Sequence, residues 1–242
     1  MEPTAAASGP GGVAARDRAR EQALARAVIW TAAVAAVGQA LIGGVNSLTV
    51  ASDVLNPDEE GSLFQLLTAA TTALAGAAAA AHALRFPARR GRFVALAAIL
   101  LYFAADDVLV IHEWLGEQVG EGLFGFPDHI AVRMWIVVLA PLLAAAFVLV
   151  VAEALRVGPP LRNVLLGGLA SLVAAVAVEV VGVVTRSPSF IERVSGKPET
   201  LRYLVEESFE LGGWVLIAGG LWALLAHDAR LAVLGPADAR RI

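Results

Sequence analysis

Six apolar stretches set the strongest limit on how this chain can fold. They lie at roughly 25–45, 63–84, 93–116, 131–155, 163–184 and 202–226. A bilayer core requires about 20 apolar residues of α-helix to cross it, and in lipid every backbone polar group must be paired within the protein. The chain is also 58% hydrophobic, above the roughly 45–50% of soluble domains. The sequence therefore predicts an all-α integral membrane bundle of six transmembrane helices.

The basic residues predict the orientation of this bundle. Most of the 18 lie in the N-terminal segment, the second and fourth connections and the C-terminal segment. The positive-inside rule then places both termini in the cytoplasm. Residues 1–22 are predicted to be a disordered tail, residues 23–228 the transmembrane domain, and residues 229–242 a second cytoplasmic tail. Abundant alanine and arginine with a single lysine, Lys197, indicate a bacterial source, so the predicted location is the bacterial cytoplasmic membrane.

Composition also disfavours several classes of partner and site. The net charge of −4 gives no reason to expect nucleic acid. The chain has no cysteine, which excludes disulfides and thiolate metal sites within it. The expected partners are membrane lipids and a lipid-like or small-molecule substrate. The sequence identifies no protein partner.

Ionisable residues inside the predicted spans provide the main functional signal, because such residues are costly in lipid and usually functional. At a rise of about 1.5 Å per residue, the acids of the third and sixth spans fall at two matching depths, about 12–14 Å and about one turn below the outer surface. They are therefore predicted to meet, together with one acid of the fifth span. The residues concerned are Asp106, Asp107, His112, Glu113, Glu179, Glu206, Glu207 and Glu210.

The facing of these residues can be predicted if the third span is one continuous helix. At 100° per residue, Asp106 and Glu113 share a stripe, whereas Asp107 and His112 flank it and need other partners. No lysine or arginine is expected at the depth of Asp106, and Arg202 is expected to pair with Glu206 one turn away. No helix is predicted to be broken at the midplane.

Seven carboxyl groups clustered in a low dielectric cannot all remain ionised and unpaired. Either several are protonated or cations are bound. Carboxylates with one imidazole suit a divalent ion such as Mg²⁺, Mn²⁺, Fe²⁺ or Zn²⁺. The sequence thus predicts a site open to the outer face, with two candidate catalytic bases, Glu113 and Glu207, and five candidate metal ligands: Asp106, Asp107, His112, Glu206 and Glu210.

The remaining polar residues carry less information. Glu179 lies near a span end and is expected at the outer interface. His129 is expected in an outer loop. Residues 185–201 are expected to form a lid, a clamp for an anionic head group or a solvated loop. His82 and Glu153 lie at cytoplasmic span ends, where His82 is expected to be interfacial.

Two resemblances follow from these motifs. DDVLVIHE and VEESFELGG resemble a pattern of uncharacterised bacterial membrane proteins, Asp-[Asp/Glu]-x3-Ile-His-Glu on one span and Glu-Glu-x2-Glu-x2-Gly on a later one. It covers about 16 residues and implies a shared architecture but no reaction. A looser resemblance is to the seven-helix ceramidase-and-receptor superfamily of metal-dependent membrane hydrolases. Those use three histidines for zinc, whereas this chain offers one histidine and six spans.

Three functions remain open from the sequence. The first is a metal-dependent enzyme that acts on a lipid or other amphiphile. The second is a proton- or cation-coupled transporter or channel subunit. The positions of the acids argue against it, because they lie late in the third span and early in the sixth, and an inverted repeat would not superpose them. The third is a structural partner subunit whose acids hydrogen-bond across helices.

Overall fold

The structure, a computed structural model, describes residues 10–49, 52–56, 61–126, 131, 134–185 and 200–239. These residues form helices, with no strand among them. Two short 3₁₀ helices, Asp53–Leu55 and Pro87–Arg89, flank the second helix. The described residues form seven α-helices: α1 Pro10–Leu48, α2 Leu63–Arg85, α3 Arg90–Leu109, α4 Ile111–Phe124, α5 Trp135–Ala154, α6 Pro159–Thr185 and α7 Thr200–Ala239.

Five helices are long and apolar enough to cross a membrane, or six if α3 and α4 count as one bent span, within the described residues. The five are Arg18–Leu48, Leu63–Arg85, Trp135–Ala154, Pro159–Val180 and Arg202–Val233. This architecture confirms an all-helical chain and is consistent with a membrane protein. Helix α2 matches its predicted span to one residue, because Ser62 caps it by accepting a hydrogen bond from Gln65 N.

The assumption that the third span, 93–116, is one continuous helix was wrong. Helix α3 ends at Leu109, and Val110 adopts the left-handed conformation with φ 54°. Helix α4 begins at Ile111, at an angle of 83° to α3. It ends at Phe124 and is followed by Gly125, which is also left-handed and suited to the capping position. The predicted shared stripe of Asp106 and Glu113 is therefore lost, because the two residues lie on different helices.

Helix α7 is central to the packing, since it contacts α1, α2 and α6. The backbones of α6 and α7 approach closely at two glycines. A Cβ atom on Gly168 would lie 3.0 Å from the carbonyl oxygen of Gly213, and one on Gly213 would lie 3.1 Å from the oxygen of Gly168. Small residues permit such an approach between membrane helices. The buried core runs from this contact to α2, α3 and α5.

The predicted tails differ from the structure. Helix α1 begins at Pro10 and α7 continues to Ala239, so that residues assigned to both tails extend the neighbouring helices. Alanine and arginine, which are frequent there, are good helix formers. Glu21 Oε1 lies 2.6 Å from His227 Nδ1. The start of α1 and the end of α7 are thus at the same end of the bundle.

Candidate functional site

A cavity of about 760 Å³ lies among α2, α3, α4, α5, α6 and α7. Its lining residues come from the first turns of α2 and α4, the first two thirds of α5, the first half of α7, the last turns of α3 and the later part of α6. These segments share one end of the bundle. The contact between Glu21 and His227 lies at the other end.

All eight ionisable residues singled out in the spans line this one cavity. The structure thus brings together residues of four helices that were predicted to meet. Glu179, for which the sequence left open a place at the outer interface, is among them. The eight are Asp106, Asp107, His112, Glu113, Glu179, Glu206, Glu207 and Glu210.

The cavity also has a large apolar wall. Aliphatic and aromatic side chains of α3, α5, α6 and α7 provide it, and threonine and glutamine of α2 lie beside the acids. The apolar members include Phe103, Leu139, Leu143, Phe147, Leu172, Val176 and Trp214. A space with one acidic and one apolar part suits an amphiphilic occupant, and its volume is within the range of small-molecule sites.

Asp106 and His112 form a hydrogen-bonded pair in the cavity wall. His112 Nδ1 lies 3.1 Å from Asp106 Oδ2, and Asp106 is 4% exposed. The pairing was not predicted, because a continuous helix would turn the two side chains well apart. The break at Val110 brings them together. An ionised Asp106 can only accept a hydrogen bond, so Nδ1 then carries the ring proton and Nε2 is the basic nitrogen.

Three buried polar atoms of cavity-lining residues have no hydrogen-bond partner: Asp106 Oδ1, Asp107 Oδ2 and Thr68 Oγ1. The backbone around them is fixed, since Gln65 Nε2 donates to the carbonyl oxygen of Asp107 at 2.6 Å. Buried polar groups are nearly always paired in folded proteins. A polar group of a ligand is therefore expected to form its strongest hydrogen bonds in the part of the cavity beside these atoms.

The acids of α7 have closer partners. Trp214 Nε1 donates to Glu210 Oε1 at 3.3 Å. Arg202 Nη1 lies 2.9 Å from Glu206 Oε2, which confirms the predicted pair. The guanidinium carbon of Arg202 also lies 4.0 Å from the centre of the Tyr203 ring. One cation is thus already engaged at this side of the cavity.

The predicted metal site does not have ligand geometry in the described residues. No group of three His, Asp or Glu side chains there is placed to hold an ion. The five predicted ligands, Asp106, Asp107, His112, Glu206 and Glu210, line one cavity but do not converge on one point. The predicted bases, Glu113 and Glu207, line it as well. His129, Arg133 and residues 186–199 of the predicted lid lie outside the described residues.

A second charged cluster lies at the opposite end of the bundle, and sequence reasoning missed it. We call it the arginine cluster; its members are His82, Arg89, Arg92, Glu153, Arg156 and Asp228. Arg89 Nη1 lies 2.6 Å from Asp228 Oδ2 and 3.5 Å from Glu153 Oε2. His82, expected to be interfacial, is fully buried and stacks on Phe93 with a centroid distance of 4.3 Å. The sequence feature that could have predicted this cluster is the position of two acids, Glu153 and Asp228, beside arginine-rich connections.

A family model described as a domain of unknown function, DUF8692, matches residues 22–224. The match spans most of the chain and every cavity-lining helix, so the chain belongs to this family. Comparisons with curated proteins and with solved structures found no match.

Proposed function

We propose that this member of the DUF8692 family is a membrane enzyme that acts on a lipid or other amphiphile inside the cavity. The observation that carries the proposal is the pair of Asp106 and His112 in the wall of a space with an acidic and an apolar part. A histidine oriented by a carboxylate is a common general base.

The proposed reaction is hydrolysis. His112 Nε2 accepts a proton from a water molecule, whose oxygen attacks a carbonyl carbon or a phosphorus atom of the substrate. The bond to the leaving oxygen or nitrogen breaks, and His112 returns the proton to that atom. Asp106 holds the ring and stabilises its charged form. Glu113 and Glu207, the bases expected from the sequence, line the same cavity and are the alternative proton acceptors.

The proposed placement in the membrane follows from the positions of the two charged clusters. We infer six spans, with α3 and α4 as one bent span, and both termini in the cytoplasm of a bacterium. The arginine cluster then lies at the inner face, as the positive-inside rule favours. The cavity, at the other end of the bundle, lies near the outer face, where a lipid of the outer leaflet has access to it.

An assay of lipid turnover tests the proposal. The protein in lipid nanodiscs is incubated with a total lipid extract, and the products are measured by mass spectrometry. The His112→Gln variant is expected to lose about 10²-fold or more of the turnover, the scale of general acid–base catalysis. Glu117→Gln is the matched control, because Glu117 is exposed on the same helix and outside the cavity. No product with the unaltered protein, or full activity of His112→Gln, would contradict the proposal.

The predicted divalent ion is tested on the same protein. Elemental analysis after purification without chelator gives the metal content per chain. The matched control is the double variant Asp106→Asn/Glu210→Gln. About one or two divalent ions, as in two-metal hydrolases, lost from the control, would support the metal-dependent form of the enzyme, with the side chains rearranged around the ion. Equal content in both proteins would contradict it.

One observation favours cation-coupled transport as a second candidate. The span formed by α3 and α4 is broken at Val110, next to the cavity acids, and broken helices form the ion sites of many transporters. The sequence had argued against transport partly because no break was expected at the midplane. Proton or cation flux into proteoliposomes that is lost in Asp106→Asn, with no lipid turnover, would assign the protein to this class.

A further inference from the structure

We propose that the acidic part of the cavity binds the ammonium group of an amphiphile whose apolar chain occupies the rest of the cavity. This inference rests on the proposed function, since it names the class of substrate that the cavity takes. It concerns binding and does not depend on which residue performs the chemistry.

The charge of the lining is the first argument. Among the described lining residues, seven are carboxylic acids, and Arg202 and His112 are the groups that can carry positive charge. Arg202 is engaged with Glu206 and Tyr203, and His112 with Asp106. An anionic or neutral head group would leave this excess of acid uncompensated in a low dielectric, whereas a cation reduces it.

The unpartnered oxygens are the second argument, and they are independent of the charge. Asp106 and Thr68 are 4% and 3% exposed, and Asp106 Oδ1 and Thr68 Oγ1 have no hydrogen-bond partner. A buried polar atom without a partner is costly. A carboxylate oxygen only accepts, so its missing partner is a donor. An ammonium group supplies three N–H donors.

The placement of the acids distinguishes an ammonium group from a metal ion. A divalent ion needs several ligand atoms within about 2.0–2.6 Å of one point, and no such group of three side chains occurs in the described residues. Ammonium donors point in separate directions to acceptors about 2.7–3.2 Å away. Acids spread around a cavity wall suit the second arrangement.

The aromatic side chains are consistent with this ligand. Trp135, Tyr203 and Trp214 line the cavity together with the acids, and a cation is attracted to the face of an aromatic ring. The aliphatic wall of α5 and α6 then accommodates a hydrocarbon chain. The Trp214 ring, which also donates to Glu210, connects the acidic and the apolar part.

Binding of four short amphiphiles tests the inference. Octylamine, octyltrimethylammonium, octanol and octanoate are titrated by calorimetry into the protein in nanodiscs, with empty nanodiscs subtracted. Octylamine is expected to bind saturably and most tightly. Octyltrimethylammonium, which has the charge but no N–H donor, is expected to bind more weakly. Asp106→Asn and Asp107→Asn should each raise the Kd of octylamine about tenfold, the scale of a charge-assisted hydrogen bond, and Glu117→Gln should leave it unchanged.

Other outcomes would overturn the inference in different ways. Equal binding of octylamine and octanol, or preferred binding of octanoate, would exclude the ammonium site and leave the proposed enzyme intact. Octylamine binding that both aspartate variants retain would place the amine elsewhere. Displacement of octylamine by Mn²⁺ or Zn²⁺ at stoichiometric amounts would assign the acids to a metal. No saturable binding of any of the four would contradict both the inference and the amphiphile cavity.

Discussion

The cavity and the arginine cluster both contain buried acids, but they differ in what surrounds those acids. In the arginine cluster Asp228 and Glu153 are 6% and 2% exposed, and each lies within 4.0 Å of at least one arginine. Arg156 also pairs with Glu153. In the cavity Asp106 is equally buried, but the imidazole of His112 contacts its Oδ2, and its Oδ1 has no hydrogen-bond partner. Glu153 Oε1 also lacks a hydrogen bond, but the guanidinium of Arg92 lies 4.0 Å from it.

This difference separates structural from functional charge. Where the protein supplies both partners of a buried ion pair, removing one of them leaves an uncompensated charge and strongly destabilises the fold. A buried acid beside a cavity, with an unpaired oxygen, costs folding free energy and is explained by what it binds. The cavity region also contains the strained residue Val110, whereas no positive φ occurs among the described residues of the arginine cluster. Strain of this kind is often found at functional sites.

The largest expected effect is in the arginine cluster. Arg89→Gln should lower the free energy of unfolding by about 3 kcal/mol, because it leaves Asp228 and Glu153 buried without the cation between them. Arg92→Gln is the matched control: its side chain is 61% exposed and 4.0 Å from Glu153, so a loss below about 1 kcal/mol is expected. Unfolding by denaturing detergent, followed by tryptophan fluorescence, measures both. Equal losses would contradict the assignment of a structural cluster.

Neutralising one acid in each region compares how much the arginine cluster and the cavity acids contribute to stability. Asp228→Asn should destabilise the protein by about 2 kcal/mol, because it removes the charge that Arg89 pairs with. Asp106→Asn should change stability by less than about 1 kcal/mol or increase it, since an amide can still bond His112 and no unpaired charge is buried. The same unfolding assay applies. A larger loss for Asp106→Asn than for Asp228→Asn would mean that the cavity acids hold the bundle together.

The smallest effect expected is at the helix break. Val110→Gly should raise the free energy of unfolding by about 1 kcal/mol, because glycine adopts φ 54° without the clash of a branched side chain. Val108→Gly is the control on the same helix: Val108 is 53% exposed within α3, so glycine should cost a few tenths of a kcal/mol or more. Destabilisation by both substitutions would show that Val110 is not left-handed.

The convergence of the acids was predictable from the sequence because depth along a membrane helix depends only on residue count and span ends. Asp106, Asp107 and Glu210 therefore met as expected. The pairing of Asp106 with His112 was not, because it requires the break at Val110. No glycine or proline marks that position, and valine is among the residues least suited to a left-handed conformation. The prediction from periodicity failed where tertiary packing overrides local preference.

The arginine cluster was missed for a different reason. Polar residues at a span end were read as interfacial from position alone, although burial depends on which helices meet there. His82 is enclosed because α3 begins right after α2 and Phe93 stacks on its ring. The metal ligands were likewise chosen by residue type and depth, and these properties do not determine whether side chains converge on one point.

The central claim is that the acidic cavity admits a cation from the outer face. Thiol labelling of cysteines placed at two threonine positions of α2 tests it most directly. Thr68 and Thr72 are one turn apart and 3% and 0% exposed. Thr68 lines the cavity, whereas Thr72 does not and donates to the Thr68 carbonyl oxygen. The chain has no cysteine, so the variants Thr68→Cys and Thr72→Cys each carry a single thiol of similar size.

Each variant is treated from outside, in oriented vesicles, with a cationic and an anionic methanethiosulfonate reagent. The expected result is that Thr68→Cys reacts with the cationic reagent at least about tenfold faster than with the anionic one, since the lining acids concentrate cations, and that Thr72→Cys reacts with neither. Equal rates for the two variants, no reaction of Thr68→Cys, or a preference for the anionic reagent would contradict a cation-binding cavity at the outer face.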